Sequence, residues 1–109
     1  MAITAITSVQ EFDEKVLGSK GLVIVDFWAA WCEPCTVMRP EVEAVAERFE
    51  GQVEFFSVDA EDKNLRGVLL KEDIDGIPSM VFYRDGKMLD SLVGYKKADV
   101  LESLIKEVI

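Results

Sequence analysis

A run of residues 21–28 that is apolar except at one position leads into the two cysteines of the chain. The run is rich in β-branched and aromatic residues, which indicates a buried strand. Residues 29–31 form the predicted turn out of this strand. Pro34 then falls in the first turn of a helix, where its missing N–H leaves no hydrogen bond unmade. The sequence therefore predicts that Cys32 and Cys35 lie where a buried strand passes into a helix.

The two cysteines are separated by two residues, so at a helix start they lie one turn apart on the same side. This spacing brings their Cα atoms within the range that a disulfide requires. A disulfide that closes so short a loop restricts the unfolded chain little, which favours a redox switch over a structural crosslink. A structural zinc site usually needs four cysteine or histidine ligands, and this chain offers two. An inert buried pair is the other alternative, although a helix start raises cysteine reactivity.

Position along the helix predicts different roles for the two sulfurs. Cys32 lies at the N-terminus of the helix, where free backbone N–H groups and the helix dipole stabilise a thiolate. Cys35 lies one turn further in, with fewer free donors. We therefore expect Cys32 to be the attacking nucleophile and Cys35 the resolving cysteine.

The remaining apolar spacings predict strands that alternate with helices. The strand, helix, strand order up to residue 59 implies a right-handed crossover between parallel strands. Asp85-Gly86 between two apolar runs predicts an antiparallel hairpin. The other predicted elements are an edge strand at 3–6, a helix from a capping box at 8–11 to Gly18, a helix that begins near Cys32, carries Val37 among its apolar residues and ends at Gly51, a strand at 53–59, a short helix at 64–70, and a terminal helix that buries Val100, Leu101, Leu104, Ile105 and Val108. The predicted fold class is α/β, with helices on both faces of a mixed sheet.

An ordered set of motifs resembles the thioredoxin family over nearly the whole chain. The matching residues are 25–29 (VDFWA), 31–35 (WCEPC), Pro40, 76–79 (GIPS) and Gly94. A lone CxxC motif is a weak signal, but this set in this order is specific. The resemblance implies one thioredoxin domain over residues 1–109, with a central sheet of about five strands flanked by four helices.

The same resemblance implies a general protein disulfide reductase that acts by dithiol–disulfide exchange. Its redox-active group is the Cys32–Cys35 disulfide, and it needs no further cofactor and no metal. The implied substrates are disulfide-containing proteins, and the implied electron donor is a thioredoxin reductase.

Asp26 is the one charge in the apolar run, and two interpretations follow from the residues alone. It either reaches water near the strand end, or it is a desolvated carboxylate with a raised pKa that accepts the proton of Cys35. Spacing does not place it beside the disulfide. The resemblance favours the second interpretation, because the residue matches the proton acceptor of the family.

The predicted substrate-binding residues are Trp31, Ile77, Pro78 and Gly94. Sequence alone favours a trans bond before Pro78. The resemblance implies a cis bond that faces the cysteines and leaves the backbone of Ile77 free to pair with an extended substrate. Gly94 matches a rim glycine of the family, although a plain strand-end turn is the alternative. Trp31 is expected to offer an apolar contact surface.

Two departures from the family pattern carry expectations. Glu33 replaces the usual glycine, and its charge is expected to raise the pKa of the Cys32 thiol by about half a unit, while Pro34 shapes the same first turn. Strand 53–59 lacks the lysine that many members place near the buried acid. The Asp26 carboxylate is therefore expected to lack one stabilising cation, which would raise its pKa further.

Composition excludes several functions. The formal net charge is −9, and the scattered lysines and arginines form no basic stripe for nucleic acid. The chain has no histidine, so a carboxylate, a thiol or water must carry any proton transfer. No run has membrane-spanning length, and the N-terminus does not read as an export signal. We expect a cytoplasmic monomer.

Two other functions stay open at this level. A disulfide oxidase or isomerase of the same fold would differ in redox potential, and the expected compartment argues against it. A docking module within a larger assembly would tolerate the loss of both cysteines.

Overall fold

The computed structural model describes residues 2–109, and Met1, with which the predicted domain begins, lies outside the described residues. The elements within that range are β1 Ile3–Ala5, α1 Val9–Phe12, β2 Leu22–Trp28, α2 Glu33–Arg48, β3 Glu54–Asp59, α3 Arg66–Lys71, β4 Ser79–Arg84, β5 Lys87–Val93 and α4 Ala98–Val108. A π-helical turn, Asp13–Leu17, continues α1, and a 3₁₀ turn, Lys63–Leu65, precedes α3.

The strands form one mixed sheet in the order β1-β3-β2-β4-β5. The central strand, β2, is parallel to β3 and antiparallel to β4. On the outside, β1 is parallel to β3 and β5 is antiparallel to β4. The predicted mixed sheet, parallel crossover and terminal hairpin are confirmed.

Side chains of β2 alternate between two apolar cores. Leu22 and Ile24 pack with α2 and α4, whereas Val23 and Val25 pack with α1 and α3 on the opposite face. Both faces of this strand are covered, which explains why its sequence is apolar except at Asp26. Because side chains alternate along a strand, Asp26 lies on the same face as Ile24, the face that α2 covers.

Val100, which was predicted to be buried, and Val37, which fits the apolar spacing of the predicted long helix, are both exposed. Val37 on α2 and Val100 on α4 both face solvent, while their neighbours Met38 and Leu101 are fully buried. Successive residues of a helix point about 100° apart, so one of two adjacent apolar residues can be buried while the other faces solvent. Of the other predicted residues of α4, Ile105 is buried and Leu104 and Val108 are partly buried.

The N-terminal helix begins with a modified capping box. The Ser8 hydroxyl accepts a hydrogen bond from the Glu11 N–H at 3.0 Å, as the motif predicts. The Glu11 carboxylate accepts from the Thr7 N–H at 2.6 Å, one residue before the capping serine. These two hydrogen bonds therefore fix Thr7 and Ser8, which lie between β1 and α1.

Candidate active site

The site is built where β2 ends and α2 begins. Cys32 is the N-cap of α2, and its Sγ accepts a hydrogen bond from the Cys35 N–H at 3.3 Å. The two sulfurs form a disulfide, with the Cα atoms 5.2 Å apart. Pro34 lies in the first turn, so its missing N–H removes none of the helix's own hydrogen bonds. The N-terminal dipole and the free N–H groups of this turn favour negative charge on Cys32 after reduction.

Exposure does not distinguish the two cysteines, because both residues are 5% exposed. They form a small cluster with Ala29, and Trp28, Ala60 and Ile77 pack against that cluster. Position along the helix does distinguish them, since Cys32 caps the helix and Cys35 lies within its first turn. Trp28 itself is only partly buried.

Asp26 lies on β2, 3% exposed, on the face that packs against α2. Loss of hydration on burial raises the pKa of this carboxyl from 3.8 to about 6, and the nearby Arg39 guanidinium opposes part of that rise. The carboxyl group is therefore mostly ionised at pH 7 and about half protonated at pH 6. A group with this pKa can accept a proton near pH 7 and return it.

Arg39 is a charged residue at the site that the sequence analysis missed. Its Nη1 lies 3.9 Å from Asp26 Oδ2, and its Cζ lies 5.3 Å from the centre of the Trp28 ring. The expectation that Asp26 lacks a nearby cation is therefore wrong. Strand β3 indeed carries no lysine, but α2 supplies an arginine instead. The signal in the sequence was the spacing of Arg39, one helical turn after Cys35.

Two loops at the same end of the sheet, one before β4 and one after β5, meet near the disulfide. The bond between Ile77 and Pro78 is cis, as the resemblance implied and sequence alone did not. Ile77 packs against the cysteine cluster, and the Gly94 N–H donates to the Pro78 carbonyl at 2.8 Å. Gly94 has φ +99°, and a Cβ there would meet only the end of Lys96 at 3.9 Å. The space above Gly94 is therefore open.

A groove of about 350 Å³ runs beside the disulfide. Trp31, 67% exposed, forms part of its wall together with Ile77. The other lining residues are Ala60, Leu69, Ile74, Asp75 and Gly76. Sequence reasoning missed Leu69 and Ile74, although Ile74 stands out as an isolated apolar residue in the acidic segment 72–75.

The structure does not bring every predicted site residue into this groove. Pro78 and Gly94 lie outside its lining, joined to each other by their backbone hydrogen bond. Glu33 and Pro34 are exposed on the first turn of α2.

Within residues 2–109, no group of three or more acidic, cysteine or histidine side chains is arranged to hold a metal ion. The same range contains no helix that is long and apolar enough to cross a membrane.

A cysteine pair at a helix N-terminus, in a sheet of this topology, defines a thiol–disulfide oxidoreductase. The model of the Thioredoxin family matches residues 3–107. A thioredoxin of Staphylococcus aureus is 31% identical over 105 residues, which cover 96% of this chain and 96% of that protein. The crystal structure of a thioredoxin of Malassezia sympodialis matches with a TM-score of 0.86 and 28% identity, covering 97% of this chain and 90% of the other. The chain belongs to the thioredoxin family.

Membership in this family, with the cysteine pair at disulfide distance, makes the protein a disulfide reductase that acts by dithiol–disulfide exchange. The redox-active group is the Cys32–Cys35 disulfide itself, and thioredoxins need no cofactor beyond it. In general, their partners are disulfide-containing proteins and a reductase.

Proposed function

We propose that Cys32 is the nucleophile of this reductase and Cys35 the resolving cysteine. The hydrogen bond from the Cys35 N–H to Cys32 Sγ, at the N-cap of α2, is the observation that carries this assignment. A sulfur in that position gains stabilisation as a thiolate, and the thiolate is the form that attacks disulfides.

The reaction then has two exchange steps. The Cys32 thiolate attacks one sulfur of a substrate disulfide, which forms a mixed disulfide and releases the other substrate sulfur as a thiolate. Cys35 loses its proton and attacks Cys32 Sγ, which forms the Cys32–Cys35 disulfide and releases the second substrate sulfur. Two electrons pass from the enzyme dithiol to the substrate, and the enzyme ends oxidised.

Asp26 is the proposed acceptor of the Cys35 proton, directly or through a water molecule. Its burial on the face that α2 covers and its raised pKa, about 6, support this role. Because the chain has no histidine, a carboxylate is the side chain best suited to accept a proton near neutral pH.

The proposed substrate site combines the groove with the two loops next to it. Trp31 and Ile77 offer apolar contact along the groove, and the backbone of Ile77 offers hydrogen bonds to an extended substrate. Pro78 and Gly94 form the adjacent rim, where the missing side chain of Gly94 leaves room for a peptide. Glu33 and Pro34 tune the reactivity of Cys32 from the first helical turn.

The electron donor is proposed to be a thioredoxin reductase, which returns the Cys32–Cys35 disulfide to the dithiol and so makes the protein an electron carrier. A reductase needs a compartment where its dithiol is regenerated, which supports a cytoplasmic location. The protein is proposed to work as a monomer with a single domain over residues 1–109, a length that suits one hydrophobic core.

Trapping of the mixed disulfide tests the two cysteine roles. Reduced Cys35→Ser protein, incubated with a disulfide-bonded protein such as insulin, should accumulate a covalent complex through Cys32, because no second thiol releases it. Cys32→Ser is the matched control and should trap little. Equal or greater trapping through Cys35 in the control would reverse the assignment.

A further inference from the structure

Arg39 contacts two side chains that β2 presents on one face of the sheet. Its guanidinium lies 3.9 Å from the Asp26 carboxylate and 5.3 Å from the centre of the Trp28 ring. Asp26 and Trp28 are two residues apart, so their side chains lie on the same face. A guanidinium over an indole ring gains cation–π attraction, which holds it beside the carboxylate.

The position of Arg39 on α2 also relates it to the resolving cysteine. Cys35 and Arg39 are four residues apart in one helix, so they share a helix face. Because Arg39 reaches Asp26, this shared face is turned toward that carboxylate. The cation, the acid and the thiol therefore belong to one side of the α2–sheet interface.

The partners of Asp26 in the sheet, and the residues of α4 that are buried on the same face, are uncharged. Its partners in the strand register are Ser57 on β3 and Met80 on β4, neither of which titrates near neutral pH. The side chains that α4 contributes to this face of the core are Ala98, Leu101 and Ile105. On α2 itself, Arg39 is the charged residue that pairs with Asp26, and the carboxylates of Glu43 and Glu47 line a cavity together with Arg39.

A cavity of about 470 Å³ lies beside Arg39, next to the edge strand β1. Arg39 lines it together with Trp28, Ser57, Glu43 and Glu47. Within residues 2–109, Arg39 forms an ion pair with Asp26 and none with either glutamate. Its side chain is 29% exposed, so one side of the guanidinium stays hydrated while the other faces the buried acid.

We propose that Arg39 is a positioning residue of the exchange reaction, whose charge holds Asp26 in the ionised form that accepts the Cys35 proton at neutral pH. The proposal rests on the acceptor role given to Asp26 above. In the step concerned, the proton passes from Cys35 Sγ to an Asp26 oxygen, and the freed sulfur attacks Cys32 Sγ. Arg39 touches neither sulfur in this account and acts only through the carboxylate.

Removal of the Arg39 charge should change the balance between the two forms of Asp26. Burial alone favours the protonated form, and an opposite charge at this distance lowers a carboxyl pKa by on the order of one unit. With the pKa of Asp26 at about 6, most of the carboxyl is ionised at pH 7. After a rise of about one unit, only about half would be ionised at that pH.

The test uses Arg39→Gln, which removes the charge and keeps a polar side chain, and Arg39→Lys, which keeps the charge. Arg48→Gln is the matched control, because Arg48 is on the same helix but pairs with Glu102 at 2.6 Å, away from Asp26. Titration of the Asp26 carboxyl is followed by carbon NMR in the oxidised protein. We expect an upward shift of about one pKa unit in Arg39→Gln, recovery of most of it in Arg39→Lys, and no shift in Arg48→Gln.

The second readout is the rate at which Cys35 resolves a preformed mixed disulfide on Cys32, measured against pH. We expect the midpoint of this profile to move upward in Arg39→Gln by the same amount as the Asp26 titration. At pH 6 the rate should fall about fivefold, since the ionised fraction falls from about a half to about a tenth.

The two readouts together separate the role of Arg39 from the acceptor role of Asp26. An Asp26 titration in Arg39→Gln that matches wild type overturns the proposal, whatever Asp26 does in catalysis. A shifted titration with an unmoved rate profile overturns the acceptor role of Asp26, and with it the catalytic half of this proposal. Shifts in both, recovered by Arg39→Lys, support both.

Discussion

Asp26 is the residue in which stability and function conflict most directly. A carboxylate that is 3% exposed loses most of its hydration, and the Arg39 guanidinium at 3.9 Å recovers only part of that loss. Its pKa of about 6 is the net result of these two effects. Because the ionised form is disfavoured in the folded protein, ionisation of Asp26 lowers the free energy of unfolding.

Asp26→Asn should therefore stabilise the oxidised protein at neutral pH. The pKa of Asp26 is raised on folding from 3.8 to about 6, so its stabilising contribution is complete below the lower value and is lost as the pH rises through about 6. The rise corresponds to about 3 kcal/mol, which the variant should retain at pH 8 relative to wild type. Urea unfolding from pH 3.5 to pH 8 measures this. A difference between the two proteins that does not change with pH would contradict it.

Substitution of Glu33 tests a smaller electrostatic effect, the repulsion between its carboxylate and the Cys32 thiolate. Glu33→Gly removes a negative charge next to Cys32, so the thiolate fraction below neutral pH should rise about threefold. The rate of alkylation of Cys32 by iodoacetamide, measured against pH, follows that fraction. Glu33→Gln serves as the control, because it removes the charge without adding a flexible glycine to the helix. Superimposable curves for all three proteins would refute the effect.

At the residue scale, the sequence predicted what depends on spacing along the chain. The distance between Cys32 and Cys35 follows from two intervening residues at a helix start, and the single charge in the run 21–28 identified Asp26. The sequence could not place Arg39 beside Asp26, because that contact depends on how α2 lies across the sheet. Because β3 carries no lysine, the sequence analysis expected no cation beside Asp26, although α2 supplies one.

At the scale of elements, the β4–β5 hairpin shows how a turn is fixed by both its own conformation and its neighbours. Asp85 and Gly86 have φ values of 52° and 83°, the left-handed region that a tight two-residue hairpin turn requires. A Cβ added to Gly86 would also lie 2.6 Å from the Leu17 carbonyl oxygen, at the end of the π-helical turn. The turn thus packs directly against the backbone that precedes β2.

Gly86→Ala should destabilise the protein more than Gly51→Ala. Gly51 also has a left-handed conformation, with φ +88°, but a Cβ there would meet no atom within 4 Å. Gly51→Ala should therefore cost about 1 kcal/mol of unfolding free energy from backbone strain alone. Gly86→Ala should cost a further 1–3 kcal/mol or so, because the Leu17 carbonyl must move. Equal losses in urea unfolding would show that the contact with Leu17 relaxes freely.

Element types were predictable here because apolar period, caps and turn residues agree with one another. The Asp85-Gly86 turn and the central strand β2 are examples. Burial was predicted less well, since Val37 and Val100 satisfy the apolar spacing of their helices and yet face solvent. Which of two adjacent apolar residues is buried depends on the rotation of the helix against the sheet, and that rotation is set by tertiary packing.

At the scale of the whole molecule, the sheet order gathers segments that are distant in the chain. The groove beside the disulfide takes residues from the turn between β2 and α2, the segment after β3, helix α3 and the loop before β4. Sequence motifs identified the ends of this groove, Trp31 and Ile77. Its apolar wall, Leu69 and Ile74, belongs to no motif, so only the folded chain reveals it.

The redox potential of the Cys32–Cys35 couple tests the central claim most directly, because a reductase and an oxidase of this fold differ in that quantity. The oxidised and reduced fractions are measured in glutathione buffers of defined ratio, by thiol alkylation and by the fluorescence of Trp28, which packs against the cysteine cluster. We expect a potential well below that of the glutathione couple, so that the dithiol donates electrons to protein disulfides. A potential near those of strong disulfide oxidants would contradict the account and identify the protein as an oxidant instead.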